Sequence, residues 1–241
     1  PYGLRFRHGV FREGLIDQQS HLRRRRLHAE IARLLRTRPA TRAADVAFHA
    51  ERAGDLAAAC EGYERAAETA LAAHALPEAI RCLRRALSLA ESAELSPERQ
   101  DELRLALANS LKWTNVTAAE QEVARVLTRA RIRGDALTLA RARQCEAVLL
   151  YEVGERNACL AILETVIPEL EAANDVRTLA SALTYAGYCH GSRSDFERLG
   201  VIADRLTQVA ADLDVPTLRA AALNFKSTTL AAQGEPTIAP M

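Results

Sequence analysis

The stretch HALPEAIRCLRRAL at residues 74–87 decides the fold, because it joins a short turn to a strongly amphipathic helix. Ala79, Leu83 and Ala86 follow the turn at intervals of four and three residues, which places their side chains on one helix face. The same arrangement recurs in steps of 40 residues. The turn positions equivalent to His74 are Thr114, Gly154, Ser194 and Gly234.

The later copies keep the apolar stripe. Its first position holds Ala119, Cys159 and Leu199, its second Val123, Leu163 and Ala203, and its third Val126, Val166 and Leu206. An Asp precedes several of the apolar runs, as at Gly134-Asp135 and Asn174-Asp175, and its side chain is suited to accept hydrogen bonds from the free amides of a helix start. The sequence therefore predicts helices at about 42–52, 56–72, 77–92, 97–112, 118–132, 136–152, 156–172, 176–190, 196–211 and 216–232.

A single pair of amphipathic helices cannot bury its apolar faces alone, so repeated pairs stack on their neighbours. We therefore expect an all-α fold, a solenoid of helix hairpins with a period of about 40 residues and a concave surface. Seven residues before each turn lie Leu107, Ala147, Gly187 and Ser227, which apart from Leu107 are small enough for a close approach of two helices.

Two segments resemble the tetratricopeptide repeat, a family of paired helices that bind proteins. They are Gly54-Asp55-Leu56 with Ala59, Tyr63 and Ala66, and Leu76-Pro77-Glu78-Ala79-Ile80 with Leu83 and Ala86. The resemblance implies a right-handed solenoid. The 40-residue period exceeds the family's 34 or so residues and resembles the longer helix pairs in sensor regions of large bacterial regulators.

In tetratricopeptide arrays the first helix of each pair lines the groove. By that resemblance, the positions ten residues before the turns are expected to face a protein or peptide ligand, with two tyrosines beside them. These groove residues are Arg104, Gln144, Tyr151, Thr184, Tyr188 and Asn224. The alternative is that these side chains form only a solvated inner surface.

The amino-terminal segment differs from the repeats. Residues 9–19 and 21–35 have helical periodicity and are separated by Ser20, a predicted N-cap. The strings LRFRHGVFREGL at 4–15 and RRRLHAEIA at 24–32 resemble the end of the winged-helix module of bacterial signal-transduction ATPases, the STAND proteins. We therefore expect a winged-helix remnant at residues 1–40 and repeats at 41–241.

The same resemblance implies a role for His8, because in these ATPases a winged-helix histidine can contact the phosphate of the bound nucleotide and distinguish ADP from ATP. A histidine that only packs or caps a helix is the alternative. The arginines at 23–26, with Arg33, Arg36, Arg38 and Arg42, are expected to form a solvated face or to dock an acidic partner. They lack the interleaved aromatic residues of a nucleic-acid site, so we do not expect this segment to bind nucleic acid.

Composition and the absence of certain sequence motifs limit the possible functions further. The formal net charge is +1, and no apolar run is long enough to cross a membrane, so the expected location is the cytoplasm. The five cysteines are scattered singly and predict small buried side chains rather than a metal site or a disulfide framework. There is no phosphate-binding Gly-x-x-x-x-Gly-Lys-Ser/Thr loop, no zinc-binding His-Glu-x-x-His and no catalytic triad spacing.

We therefore expect a protein-interaction and sensor scaffold with no enzyme activity, cofactor or metal of its own. It is expected to be a segment of a longer polypeptide, a LuxR-type transcriptional regulator whose upstream ATPase module is its second partner. The alternatives are the repeat region of a multidomain nucleotide cyclase or kinase, and a free-standing adaptor.

Overall fold

The computed structural model describes residues 18–38 and 41–234, and within these ranges the chain forms helices joined by turns, without a strand. The all-α class and the order of helices predicted from the sequence are confirmed. The helices are α1 His21–Arg36, α2 Ala43–Ala53, α3 Leu56–Ala72, α4 Leu76–Leu89, α5 Pro97–Leu111, α6 Val116–Arg133, α7 Ala136–Glu152, α8 Arg156–Ala172, α9 Val176–Ser192, α10 Phe196–Leu213 and α11 Pro216–Ala232. None of them is long and apolar enough to cross a membrane.

From Gly54 to Gly234, residues with a positive φ recur every 20 residues and mark the turns. Their positions are Gly54, His74, Glu94, Gly134, Gly154, Asn174, Ser194, Asp214 and Gly234. Only Thr114 breaks the series, and as a β-branched residue it is poorly suited to that conformation. The turns thus alternate between those that join two helices of one pair and those that join one pair to the next.

One type of turn both ends a helix and starts the next. At Asn174 the chain enters the left-handed region, and the following Asp175 donates its backbone N–H to the carbonyl of Leu170 at 3.0 Å. The Asp175 carboxylate then accepts the backbone N–H of Thr178 at 3.2 Å and caps α9. Asp55, Asp135 and Asp195 do the same at the starts of α3, α7 and α10. We call each such pair of residues a helix joint.

The apolar stripe of the second helices is buried as predicted. All twelve of its residues are at most 2% exposed. They belong to α4, α6, α8 and α10, and their spacing of four and three residues puts one continuous row of side chains on each helix. The Ser20 N-cap is also confirmed, since its hydroxyl accepts the backbone N–H of Arg23 at 3.3 Å.

The chain divides into two compact units, Pro1–Leu107 and Ala108–Met241. In the first unit α1 packs on α2, α2 on α3 and α3 on α4. Its core is rich in alanine, and Gly62 of α3 lies so close to Ala47 of α2 that an added Cβ would stand 2.8 Å from the Ala47 Cβ. The predicted domain boundary near residue 40 stays a prediction.

In the second unit each helix from α6 to α11 packs on the next, and α9 also contacts both α7 and α11. The three helices α7, α9 and α11 are the first helices of successive pairs, so these extra contacts form one shared face. We call it the first-helix face. The apolar core of this unit lies beneath it, around Leu163, Leu170, Leu183 and Leu206, none of which is exposed.

Candidate interaction surface

Four aromatic rings cross the first-helix face of the second unit. Tyr151 of α7 lies 6.0 Å from Tyr188 of α9 between ring centroids, and Tyr188 lies 5.3 Å from Phe225 of α11. Tyr185 stands 5.2 Å from Tyr151 and completes the group. We call these four residues the aromatic row. The edge-on and tilted contacts among them are those that aromatic quadrupoles favour.

The row follows a spacing of 37 residues, through Tyr151, Tyr188 and Phe225, rather than the 40 of the repeat. The polar contact between Gln144 and Ser181 has the same spacing, with the Gln144 amide donating to the Ser181 hydroxyl at 2.8 Å. Residues that meet on successive first helices are therefore 37 positions apart in the sequence, three fewer than the 40 of the repeat. An aromatic contact and a hydrogen bond share this spacing. The offset of three residues is therefore a property of the packing of α7 against α9.

A hydrogen-bonded chain borders the row. The ammonium of Lys112, directly after α5, donates to the Tyr185 hydroxyl at 3.1 Å, and that hydroxyl lies 3.1 Å from a carboxylate oxygen of Glu152. The same ammonium stands 5.1 Å from the ring centroid of Trp113, a cation–π contact. Trp113 is 61% exposed, so an apolar ring stands in solvent beside the Lys112 ammonium.

Burial shapes the ionisation of this chain. It lowers the pKa of the Lys112 ammonium, against the opposing effect of Glu152. It also raises the pKa of the Tyr185 phenol, and Glu152 adds to that rise. Tyr185 therefore remains neutral and acts as a donor to Glu152, while the carboxylate compensates the partly buried ammonium.

The helix joints hold the face in place. At the start of α9, the Asp175 carboxylate accepts a hydrogen bond at 2.6 Å from Nε of Arg141 on α7. At the other end of α7, the Arg156 guanidinium lies 5.6 Å from the centroid of the Tyr151 ring. Contacts at both ends thus fix α7 and position its part of the row.

The predicted groove residues occupy different environments. Tyr151 and Tyr188 come together in the aromatic row, and Tyr188 is 40% exposed. Gln144 belongs to the same face but is only 5% exposed, and its amide donates a hydrogen bond to Ser181. Thr184 is half-buried, and its hydroxyl donates to the Ala180 carbonyl at 2.8 Å.

Asn224 lies exposed on α11 beside Phe225. Arg104 lies in the first unit, on α5, and is half-buried. His8, the predicted nucleotide contact, falls outside the described residues. In the ranges 18–38 and 41–234, no group of three or more His, Cys, Asp or Glu side chains is arranged to hold a metal ion.

Sequence reasoning missed Lys112, Trp113, Glu152, Tyr185 and Phe225. The 40-residue repeat pairs Tyr151 with Gly191 and not with Tyr188, so the period hid the contacts between aromatic rings. A search for aromatic residues 37 apart would have found Tyr151, Tyr188 and Phe225.

No protein-family model matches the chain, and no curated protein matches it. Among solved structures, the chain is similar to the STAND protein PH0952 from Pyrococcus horikoshii, a signal-transduction ATPase with a tetratricopeptide repeat sensor. The TM-score is 0.62 and the sequence identity 13%, over 91% of this chain and 35% of that one. The chain thus spans about a third of the length of its structural neighbour. The likeness shows that the fold is a tetratricopeptide-like helical repeat, consistent with the solenoid expected from the sequence.

Proposed function

We propose that this chain is the partner-binding sensor of a signal-transduction ATPase, and that the first-helix face of its second unit binds a protein or peptide. The aromatic row carries the proposal. Tyrosine and tryptophan combine a large apolar surface with a polar edge, and for that reason they dominate the energetics of many protein interfaces. Tyr188 offers such surface to solvent in this face, and Trp113 does so next to Lys112, whose ammonium contacts Tyr185 of the row.

The likeness to a repeat sensor supports the same function. PH0952 is described as an ATPase with numerous domains and a tetratricopeptide repeat sensor, and the similar region covers 35% of its chain. In the proposed mechanism the partner binds one of two arrangements of the helices more tightly, and the shift in their populations passes to an ATPase module upstream. Residues 1–40 would be the remnant of the winged-helix module that links the two, with His8 near the nucleotide.

Binding of displayed peptides tests the face. A peptide library is selected on the wild-type chain, and the affinity of each selected peptide is then measured for Tyr188→Ala and Trp113→Ala. Because loss of a hot-spot aromatic costs about 2 kcal/mol, we expect affinity to fall by a factor of about 30. The matched control is Ile132→Ala, since Ile132 is an 82% exposed apolar residue on α6, away from the row.

Unchanged affinity in both aromatic variants, or an equal loss in Ile132→Ala, would contradict the assignment. A photo-reactive phenylalanine derivative at position 188 gives an independent measurement, since it should crosslink to the selected peptides while the same derivative at position 132 should not.

The parent protein is a separate part of the proposal. We favour a LuxR-type transcriptional regulator in the cytoplasm. The coding sequence on either side tests this, because a phosphate-binding loop upstream and a DNA-reading helix-turn-helix downstream are both required. A cyclase or kinase domain in place of the helix-turn-helix would instead select the alternative multidomain enzyme.

A further inference from the structure

Two buried thiols face each other between α8 and α9. The Sγ atoms of Cys159 and Cys189 are 3.7 Å apart, and neither residue is exposed. A disulfide bond has a length of about 2.0 Å, so a small approach of the two side chains would bring them within bonding distance. The other three cysteines have no such neighbour. The thiol of Cys60 donates to the Ala86 carbonyl, Cys82 to Glu78 and Cys145 to Asn109.

Both thiols lie near helix ends, which fray more readily than helix interiors. Cys159 is in the first turn of α8, which begins at Arg156, and Cys189 is in the last turn of α9, which ends at Ser192. The start of α8 lacks a side-chain cap. Its N-cap residue Glu155 makes no side-chain hydrogen bond to the helix, in contrast to the aspartates that cap α7, α9 and α10.

The surroundings make the two thiols chemically unequal. The hydrogen bond with Cys159 lowers the pKa of Cys189, and the guanidinium groups of Arg156 and Arg193 lower it further, against the effect of burial. The same hydrogen bond and burial raise the pKa of Cys159. Cys189 is therefore the better nucleophile of the pair, since the thiolate is the reactive form.

We propose that Cys159 and Cys189 form a reversible disulfide that ties the start of α8 to the end of α9. With oxidised glutathione as the oxidant, the Cys189 thiolate attacks one glutathione sulfur, the glutathione S–S bond breaks and one glutathione thiolate leaves. The Cys159 thiol then loses its proton and its sulfur attacks Cys189, displacing the second glutathione thiolate. Two electrons pass to glutathione, which is reduced to two thiols, and the protein loses two thiol hydrogens.

This site is independent of the proposed partner-binding function, but it lies close to the aromatic row. Cys189 directly follows Tyr188 in the last turn of α9. A covalent tie at this point fixes the end of α9 that carries the row. The oxidised chain should therefore unfold at a higher temperature than the reduced one, since the bond restricts the unfolded state.

The test is a thiol count on the whole chain after equilibration with glutathione mixtures of increasing oxidised fraction. The five free thiols should fall to three, and dithiothreitol should restore them. After the remaining thiols are alkylated, tryptic digestion should give one crosslinked product that joins residues 157–177 to residues 178–193. This mapping uses the wild-type chain and so does not depend on a variant that folds.

The matched variants are Cys159→Ser and Cys189→Ser, which should each lose the crosslink, and Cys145→Ser, which should keep it. Circular dichroism of each variant confirms that it is folded. Five thiols that persist until the chain unfolds in urea would overturn the proposal. Crosslinks that join Cys60, Cys82 or Cys145 as often as the proposed pair would overturn it as well.

Discussion

Gly187 illustrates how one residue sets the distance between two helices. A Cβ atom at this position of α9 would stand 2.3 Å from Cε2 of Phe225 on α11, which is closer than two non-bonded carbon atoms can approach. The glycine therefore permits the Phe225 ring to rest on the α9 backbone beside Tyr188. The repeat predicted a small residue seven positions before the turn. The Phe225 ring beside Gly187 explains why a side chain does not fit there.

We predict that Gly187→Ala destabilises the protein by about 1–3 kcal/mol, because the Phe225 ring must move out of a well-packed site. Gly191→Ala is the matched control in the same helix. Its added Cβ would meet only Leu199 Cδ2, at 3.8 Å, and alanine favours the helix, so stability should be unchanged or slightly higher. Urea denaturation of both variants measures the difference, and equal midpoints would contradict the close approach.

At the scale of the helices, the helix joints both connect consecutive helices and stabilise the packing between them. Asp175 caps α9, accepts a hydrogen bond from the hydroxyl of Thr178 at 2.8 Å and binds Arg141 of α7, so two helices meet at one carboxylate. Burial acts to raise the pKa of this carboxyl group, but the hydrogen bonds from Arg141 and Thr178 outweigh it and lower the pKa. The ionised form is therefore the one that stabilises the joint.

We predict that Asp175→Asn costs about 2 kcal/mol at neutral pH, where the carboxylate is ionised. The folded-state pKa lies below the unfolded value, so this stabilisation is present above the unfolded pKa of about 4 and is lost as the pH falls through the folded value. Thermal unfolding from pH 7 to pH 3 should show a smaller decline in the variant than in the wild type.

Asp55→Asn is the control for that experiment. Asp55 caps α3 in the same way, but its side chain is 56% exposed and its nearest arginine, Arg36, is 3.9 Å away. Its substitution should cost less than about 0.5 kcal/mol, since exposed ion pairs contribute little and asparagine is also a good cap. A pH profile of Asp175→Asn that parallels the wild type would refute the proposed role.

The elements also show what a sequence reveals. Helix starts, turns and the apolar stripe follow from residues within a few positions of one another, so Asp175, Gly154 and Leu163 were read correctly from local patterns. The aromatic row and the Lys112–Tyr185–Glu152 chain depend on the position of α9 along the axis of α7. That offset of three residues comes from side-chain packing between distant segments, and a period of 40 does not contain it.

At the scale of the molecule, contacts join mainly neighbouring helices, which is the expected behaviour of a repeat protein. In such a chain, a destabilising substitution weakens the helices nearest to it first. In the second unit α11 is held chiefly by α10 and α9, and Phe225, which is 3% exposed, supplies its contact with α9.

We predict that Phe225→Ala costs about 3 kcal/mol and that the loss is local. Amide hydrogen exchange should become faster in α11 and the adjoining α9, while α3 and α4 of the first unit keep their protection. Leu223→Ala, at a 64% exposed position of the same helix, should leave all four helices unchanged. Uniformly faster exchange across both units would show instead that the chain unfolds as one cooperative body.

The regular turns also limit how such a chain can change in length. From α5 onward, two to four residues connect consecutive helices, and a left-handed residue lies in every connection except that at Thr114. One amino acid inserted within a helix would rotate the rest of that helix by about 100° relative to its stacked neighbours. Growth or shortening is therefore tolerated in whole modules, spliced between equivalent turns, and an engineer who wishes to extend this chain should cut at Asn174 and Asp214.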